Sequence, residues 1–363
     1  MRSPVNSFYG FALPEGLQRA INELKFDVPT PIQTQAIPPA LGNRDVIATA
    51  QTGTGKTAAF CIPIITKLEK NPNKAALILV PTREIAMQIG GVLAQLSKYL
   101  QKITPVTIVG GVPMSPQIRQ LSKQPRIIIA TPGRLADHLR RGTVSLFRID
   151  MFVLDEADRM LDMGFAAQLN EILRFLPGNR QTLFYSATMP PNIQKLAARF
   201  LKTPVEVTVG PVSKPIEEIR QSAIQTTQAK KNTVLMDELK TRAGSVLIFA
   251  RTKHRTDRLA IQLTQAGHQV NRIHGGRSQG QRNSAINGFK LGKVRILVAT
   301  DIAARGIDIP HIAHVINYDL PMTAEDYIHR VGRTARAGAD GNALSFVTPE
   351  ERGQWKEISN RFL

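Results

Sequence analysis

Short apolar runs, each closed by a polar or glycine-bearing tip, recur along the whole chain. In the first half they occupy residues 45–48, 76–80, 106–109, 126–129, 151–154 and 182–185, and helical spacing fills most of the gaps. Runs apolar at every position suit strands buried on both faces, and their alternation with helices predicts a parallel sheet with ligands at the carboxyl ends of its strands. The tips read AQTGTGKT (50–57), PTRE (81–84), GG (110–111), TPGR (131–134), DEAD (155–158) and SAT (186–188). Upstream, Leu13, Leu17, Ala20, Ile21 and Leu24 recur at intervals of three and four, which predicts an amphipathic helix over 8–24. The two prolines of FDVPTPIQ (26–33) then set an extended turn, with Thr30 or Gln33 available to cap the next helix.

Periodicity lapses over 209–218, VGPVSKPIEE, which reads as a linker between domains at 1–208 and 219–363. Beyond it the design repeats, with apolar runs at 246–249, 270–273, 296–298, 315–318 and 343–346. The new tips are ARTK (250–253), HGGRSQGQR (274–282) and ATDIAARGID (299–308), and HRVGRTARAG (329–338) is expected on a following helix. No second GKT appears. The expected fold class is therefore α/β, with two parallel sheets in tandem, each flanked by helices.

Composition sharpens this picture. A length of 363 residues suits two domains, and 42% hydrophobic with 21% charged residues is the balance of a folded protein. The formal charge is +19. Residues 1–210 hold 24 basic and 14 acidic side chains and residues 211–363 hold 23 and 14, so both halves are expected to face one polyanion. An anionic membrane surface is the rival partner, and a basic surface serving solubility alone is the plain alternative. Cys61 is the sole cysteine, which excludes an intrachain disulfide and a cysteine-built zinc site and favours a reducing compartment. With no uncharged apolar run of about 18 residues, no membrane segment is expected and a cytoplasmic location is.

The tips carry specific chemistry. In AQTGTGKT, Gly53 and Gly55 let the backbone curl around phosphate with Thr54 between them, Lys56 adds a point charge, and Thr57 offers a hydroxyl to Mg²⁺. Ala50 replaces the first glycine of the generic pattern, which a negative φ tolerates. Asp155 and Glu156 follow a strand, so Asp155 can hold Mg²⁺ and Glu156 can orient or deprotonate a water. A solvated acidic helix start is the alternative reading. The amide of Gln33 suits the edge of adenine, and Phe26 can stack on it, although a capping turn with a buried ring explains both as well. Arg330, Arg333 and Arg336 recur every three residues and predict one helical stripe with His329 at its edge, suited to a γ-phosphate or, failing that, a plain basic surface. Arg83, Thr131, Arg134, Arg251, Gln279, Arg282 and Thr300 mix charge, hydroxyl and amide at tips of both halves, as a sugar-phosphate strand requires.

Taken together, FDVPTPIQ, AQTGTGKT, PTREIA, GG, TPGR, DEAD, SAT, IFARTK, the 279–282 segment, ATDIAARGID and HRVGRTARAG make the chain resemble the DEAD-box ATP-dependent RNA helicases over nearly its whole length, with SQGQR and DEADRMLDMGF closest to the bacterial branch. The resemblance implies two RecA-like domains that close over ATP and single-stranded RNA, and local opening of short duplexes. It implies that Gln33 and Phe26 read and stack adenine with Phe8 upstream, that Asp308 contacts the ribose, and that Arg333 and Arg336 act as arginine fingers, with His329 beside them. Ser186 and Thr188 would couple ATP to RNA through Asp158, and Gly111 and Arg305 would join the RNA-binding tips. Two residues depart from the family pattern: Lys25 stands where glycine is usual, and Ile85 replaces leucine. An ATP-gated RNA clamp or assembly scaffold is the alternative function. A DNA translocase is disfavoured by DEAD in place of DEAH and by Gln33. The expected partner is RNA, with ribonucleoprotein or RNA-decay proteins left open, and the chain is expected to act as a monomer.

Overall fold

The computed structural model describes residues 7–51, 53–100, 103–210, 219–304, 312–334 and 341–362. The chain divides into two compact units, Met1–Val212 and Ser213–Leu363.

The first unit opens with a 3₁₀ turn at Phe8–Gly10, followed by α1 (Glu15–Glu23), α2 (Pro31–Leu41) and β1 (Val46–Thr49). Alternation then sets in with α3 (Lys56–Lys70), β2 (Ala75–Leu79), α4 (Arg83–Leu96), β3 (Pro105–Ile108), α5 (Met114–Leu121), β4 (Ile127–Ala130) and α6 (Pro132–Arg140). The unit ends with β5 (Ile149–Leu154), α7 (Ala157–Asp162), α8 (Ala166–Phe175), β6 (Gln181–Ser186), α9 (Pro191–Phe200) and β7 (Val205–Thr208). Its strands form one parallel sheet in the order β3-β4-β2-β5-β6-β1-β7. Along β5, Met151 and Val153 face one core with Phe60 and Ile64 of α3, while Phe152 and Leu154 face a second with Leu169 and Ile172 of α8. Both faces are thus buried, which explains the absence of alternation in the strands. Each large apolar side chain so covered contributes roughly 1.5–3 kcal/mol.

The second unit runs β8 (Ile219–Gln225), α10 (Lys231–Thr241), β9 (Val246–Phe249), α11 (Lys253–Gln265), β10 (Val270–Ile273) and α12 (Gln279–Lys290). It continues with β11 (Ile296–Ala299), α13 (Asp301–Ala304), β12 (His314–Asn317), α14 (Ala324–Val331), β13 (Gly341–Val347) and α15 (Arg352–Phe362). These strands also pair in parallel, in the order β10-β11-β9-β12-β13-β8. Both units therefore have the RecA-like design of a parallel sheet between helices.

Three sequence expectations change. The helix expected over 8–24 is only Glu15–Glu23, because Pro14 at its N-cap lacks an N–H and the upstream turn closes separately on Phe8. The edge strands β7 and β8 went unread, since their half-exposed, polar-interrupted sequences lack an apolar run. The basic stripe is not one helix either: α14 ends at Val331, with Gly332 as its C-cap.

Candidate active site

The phosphate loop begins where β1 ends. Gly53 and Gly55 have φ of +88° and +93°, and a Cβ on Gly55 would come within 2.6 Å of Gln33 Nε2 and 2.9 Å of Thr30 Oγ1. Glycine is required there twice over, for backbone sign and for space. Ala50 is not among the described residues with positive φ, so its methyl group is tolerated. Its carbonyl accepts from Lys56 Nζ at 2.7 Å, and Thr54 Oγ1 donates to the Gln51 carbonyl at 2.8 Å. Lys56 and Thr57 form the first turn of α3, whose N-terminal end attracts anions. Gln33 straps α2 to this loop: its Oε1 accepts from the Thr30 N–H at 2.9 Å and its Nε2 donates to the Gly55 carbonyl at 3.1 Å. Phe8 is buried against Phe26, with ring centroids 6.3 Å apart, so Phe26 is the more accessible of the two rings. Lys25, in the usual glycine position, adopts φ +55°, so the departure lies where a left-handed residue is needed.

Strand β5 delivers the two carboxylates. Asp155 is buried, and its Oδ1 accepts from the Glu156 N–H at 3.0 Å. Burial pushes its carboxyl up to about 7, against the opposing charge of Lys56 and with added repulsion from Glu156 and Asp158. A divalent cation beside it would relieve that burden, so the carboxylate fits Mg²⁺. No group of three or more His, Cys, Asp or Glu that could hold a metal occurs among the described residues. Asp155 and the Thr57 hydroxyl are oxygen donors that could hold Mg²⁺ beside phosphate. Glu156 sits at φ +53° as the N-cap of α7, a left-handed conformation costly for a residue with a Cβ. Its Oε2 accepts from Arg159 Nη1 at 2.8 Å.

Asp158 ties this corner to β6. Its Oδ2 accepts from the N–H groups of Ala187 and Thr188 at 3.0 and 2.9 Å and from Thr188 Oγ1 at 3.1 Å. Ser186 Oγ accepts from the Asp158 N–H at 3.3 Å and donates to the Thr188 carbonyl at 2.7 Å. The tips of β5, β6 and β1 are neighbours in the sheet, so these contacts join the DEAD corner to the strand beside the phosphate loop.

At the other end of the same sheet lie the tips of β3, β4 and β2. Gly111 has φ +73°, and the Arg83 guanidinium occupies the space its Cβ would need. Thr131 is the N-cap of α6, and Arg134 Nη1 donates to the Val112 carbonyl at 3.0 Å. The predicted first-unit RNA residues therefore share three adjacent tips.

In the second unit Thr300 follows β11 and Arg251 lies just beyond β9, while Gln279 and the buried Arg282 stand on the first turn of α12, after β10. Arg251 is held by Glu351 Oε1 at 3.1 Å, and its N–H donates to Asp319 Oδ2 at 2.8 Å. Arg330 corrects an expectation. It is 2% exposed and grips both oxygens of Asp301 at 2.6 and 2.7 Å, reaches Asn317 Oδ1 at 3.1 Å, and lies over the Phe249 ring. Its anion is internal, so it serves the fold. Arg333 follows the end of α14, buried, with Nε donating to the His329 carbonyl at 3.1 Å. Arg305, Asp308 and Arg336 lie outside the described residues.

Residues 30–196 match the DEAD/DEAH box helicase family and residues 230–338 the helicase conserved C-terminal domain. The chain is 44% identical over 356 residues to the DEAD-box ATP-dependent RNA helicase CshA of Geobacillus kaustophilus, covering 98% of this chain and 76% of that protein. It is 43% identical to the Bacillus subtilis CshA, covering 97% and 72%. This chain belongs to the DEAD-box helicase family. Two solved structures share its fold: S. cerevisiae Dbp5 bound to RNA and ADP BeF3 (TM-score 0.88, 34% identity, 99% of this chain and 94% of that one), and Mss116p bound to ssRNA and AMP-PNP (0.89, 31%, 98% and 76%). Within this DEAD-box chain, sequence reasoning missed Arg159, the partner of the Glu156 carboxylate, and Asp301, the partner of Arg330. Both lie inside motifs already singled out, and the overlooked signal was an unmatched charge one helical turn from, or beside, a buried strand end.

Proposed function

We propose that this DEAD-box protein hydrolyses ATP when a single strand of RNA is bound, closing its two units on both ligands and locally parting short duplexes. The observation that carries the reading is that one sheet presents Lys56, Asp155 and Glu156 on the tips of β1 and β5, and Arg83, Gly111 and Thr131 on the neighbouring run β2, β3 and β4. A triphosphate site and a backbone-binding site thus share a rigid base, and Asp158 links the first to the 186–188 loop. The relatives named ATP-dependent RNA helicases, and the neighbours solved with RNA and ATP analogues, support the same reading.

In this reading residues 53–57 hold the phosphates, and Thr57 and Asp155 would hold Mg²⁺, which when bound would neutralise charge on the phosphate oxygens. Glu156 orients the attacking water and accepts its proton, with Arg159 fixing the direction of its carboxylate. Gln33 exchanges one of its internal bonds for the edge of adenine, and Phe26, backed by Phe8, stacks on the base. From the second unit, Asp308 meets the ribose, and Arg333 and Arg336, with His329, neutralise charge developing on the γ-phosphate. The RNA backbone runs over Arg83, Gly111, Thr131, Arg134, Arg251, Gln279, Arg282, Thr300 and Arg305, with Ser186 and Thr188 coupling it to ATP.

The test is ATP turnover with single-stranded RNA, with single-stranded DNA and with neither. Stimulation by RNA alone is expected. Glu156→Gln should retain both ligands while turnover falls by about 10²–10⁴-fold. Normal turnover in that variant would remove Glu156 from its role, and equal stimulation by DNA would refute the RNA assignment.

A further inference from the structure

We infer that Asp257 and His274 form a positioning pair that sets the glycine-rich loop 274–282, and with it the RNA-binding geometry of Gln279 and Arg282. The inference rests on the RNA reading above and concerns two residues to which that reading gives no part in binding or chemistry.

His274 is the first residue beyond β10 and is almost fully buried. Its Nε2 lies 3.0 Å from Asp257 Oδ1 on α11, and its Nδ1 accepts from the Gly276 N–H at 3.2 Å. A backbone amide can only donate, so Nδ1 carries the lone pair and the ring hydrogen sits on Nε2, facing the carboxylate. The imidazole is thereby fixed at both ends. Arg272, two residues earlier on β10, brings its Nε to 2.5 Å from the same Asp257 oxygen. Burial opposes charge on Asp257, but the hydrogen bond from His274 and the neighbouring Arg272 guanidinium outweigh it and hold the carboxyl below its usual range.

From this anchor the order passes along the backbone. The Arg277 N–H donates to the His274 carbonyl at 3.1 Å and closes the turn. A Cβ on Gly276 would stand 3.2 Å from His274 Nδ1, so the approach of amide to ring is tight. Next, Ser278 caps α12: its Oγ accepts from the Gln281 N–H at 3.3 Å, and its own N–H donates to Gln281 Oε1 at 3.1 Å. Gln279 and Arg282 stand on that first turn. Gly275, Gly276 and Gly280 give the segment wide backbone freedom, and ordering it in the act of binding would cost free energy that a pre-set loop has already spent. The pair therefore acts on RNA affinity rather than on the chemical step.

The test measures the RNA concentration that half-saturates ATP turnover, and kcat at saturating RNA, in the full chain. Asp257→Leu and His274→Leu should each raise the half-saturating concentration by about tenfold, and the double variant no further, because residues acting as one unit are non-additive. Turnover at saturating RNA should stay within about twofold of wild type. Asp257→Asn keeps an acceptor for the Nε2 hydrogen and should recover most of the affinity. If thermal melts show the leucine variants unfolded, Gly276→Ala probes the relay from its other end and should raise half-saturation likewise. Wild-type half-saturation in folded Asp257→Leu or in Gly276→Ala would overturn the pair, as would lost kcat with unchanged half-saturation. A wild-type enzyme indifferent to RNA would instead overturn the reading beneath it.

Discussion

At the scale of single residues, function rests on backbone held where side chains are unwelcome. Glu156 bears a Cβ at φ +53°, at the position assigned to the water. Its carboxylate is held at 2.8 Å by Arg159, on the helix that it caps. Gly55 is the complementary case, a residue defined by what cannot be added to it. Gly55→Ala would set a methyl group against Gln33 and Thr30 at a φ of +93°, so it should cost about 1–2 kcal/mol of stability and about tenfold in nucleotide affinity. Calorimetric titration of an ATP analogue, beside urea unfolding, checks both numbers. Unchanged affinity would mean that the Gln33 strap does not shape the loop.

At the scale of elements, α14 shows how a charged run can be misread. A spacing of three placed Arg330, Arg333 and Arg336 on one helix, but Gly332 ends that helix, and Arg330 turns inward to Asp301. Sequence periodicity reports a repeat, whereas the partner that neutralises a guanidinium lies 29 residues away on α13 and leaves no periodic trace. Arg330→Met should therefore destabilise the fold by about 1–3 kcal/mol, the cost of leaving the partly exposed Asp301 carboxylate and the buried Asn317 amide without this guanidinium. Adding Asp301→Leu should restore part of that loss, and urea unfolding of the single and double variants measures it. A stable Arg330→Met protein with lost turnover would contradict the structural role given to Arg330. Elsewhere the elements were legible for a physical reason. Strands covered on both faces must be apolar at every position, so β2, β4, β5, β6 and β9 announced themselves, and their tips followed. Edge strands β7 and β8, covered on fewer sides, did not. Asp257 and His274 were invisible for the same reason as Asp301: their pairing is made by the sheet, not by the chain.

At the scale of the whole molecule, proton binding pulls in two directions. Burial holds His138, His268 and His314 below the ordinary value of 6.5, so the folded state binds fewer protons than the unfolded one as pH falls through 6.5. That contribution to stability is intact above 6.5 and diminishes below it. Asp155, raised by burial to about 7, works the other way: its folded carboxyl takes a proton that the unfolded chain would not yet bind, so acidification from about 7 favours the fold. Replacing Asp155 with Asn removes the second effect. Between pH 7.5 and 5.5 the melting temperature of Asp155→Asn should fall more steeply than that of the wild type, and parallel profiles would contradict the opposed signs.

The formal charge of +19 is likewise a property of the whole chain, divided almost evenly between the two halves, as a single polyanion meeting both would require. If ATP and RNA favour one closed arrangement, each must raise the affinity of the other by the same factor. The most direct test uses Glu156→Gln, which should bind without turning over: titrate ATP with and without saturating single-stranded RNA, then RNA with and without saturating ATP. The account predicts two equal factors well above one, about 5–150-fold. A factor of one in both titrations would contradict it.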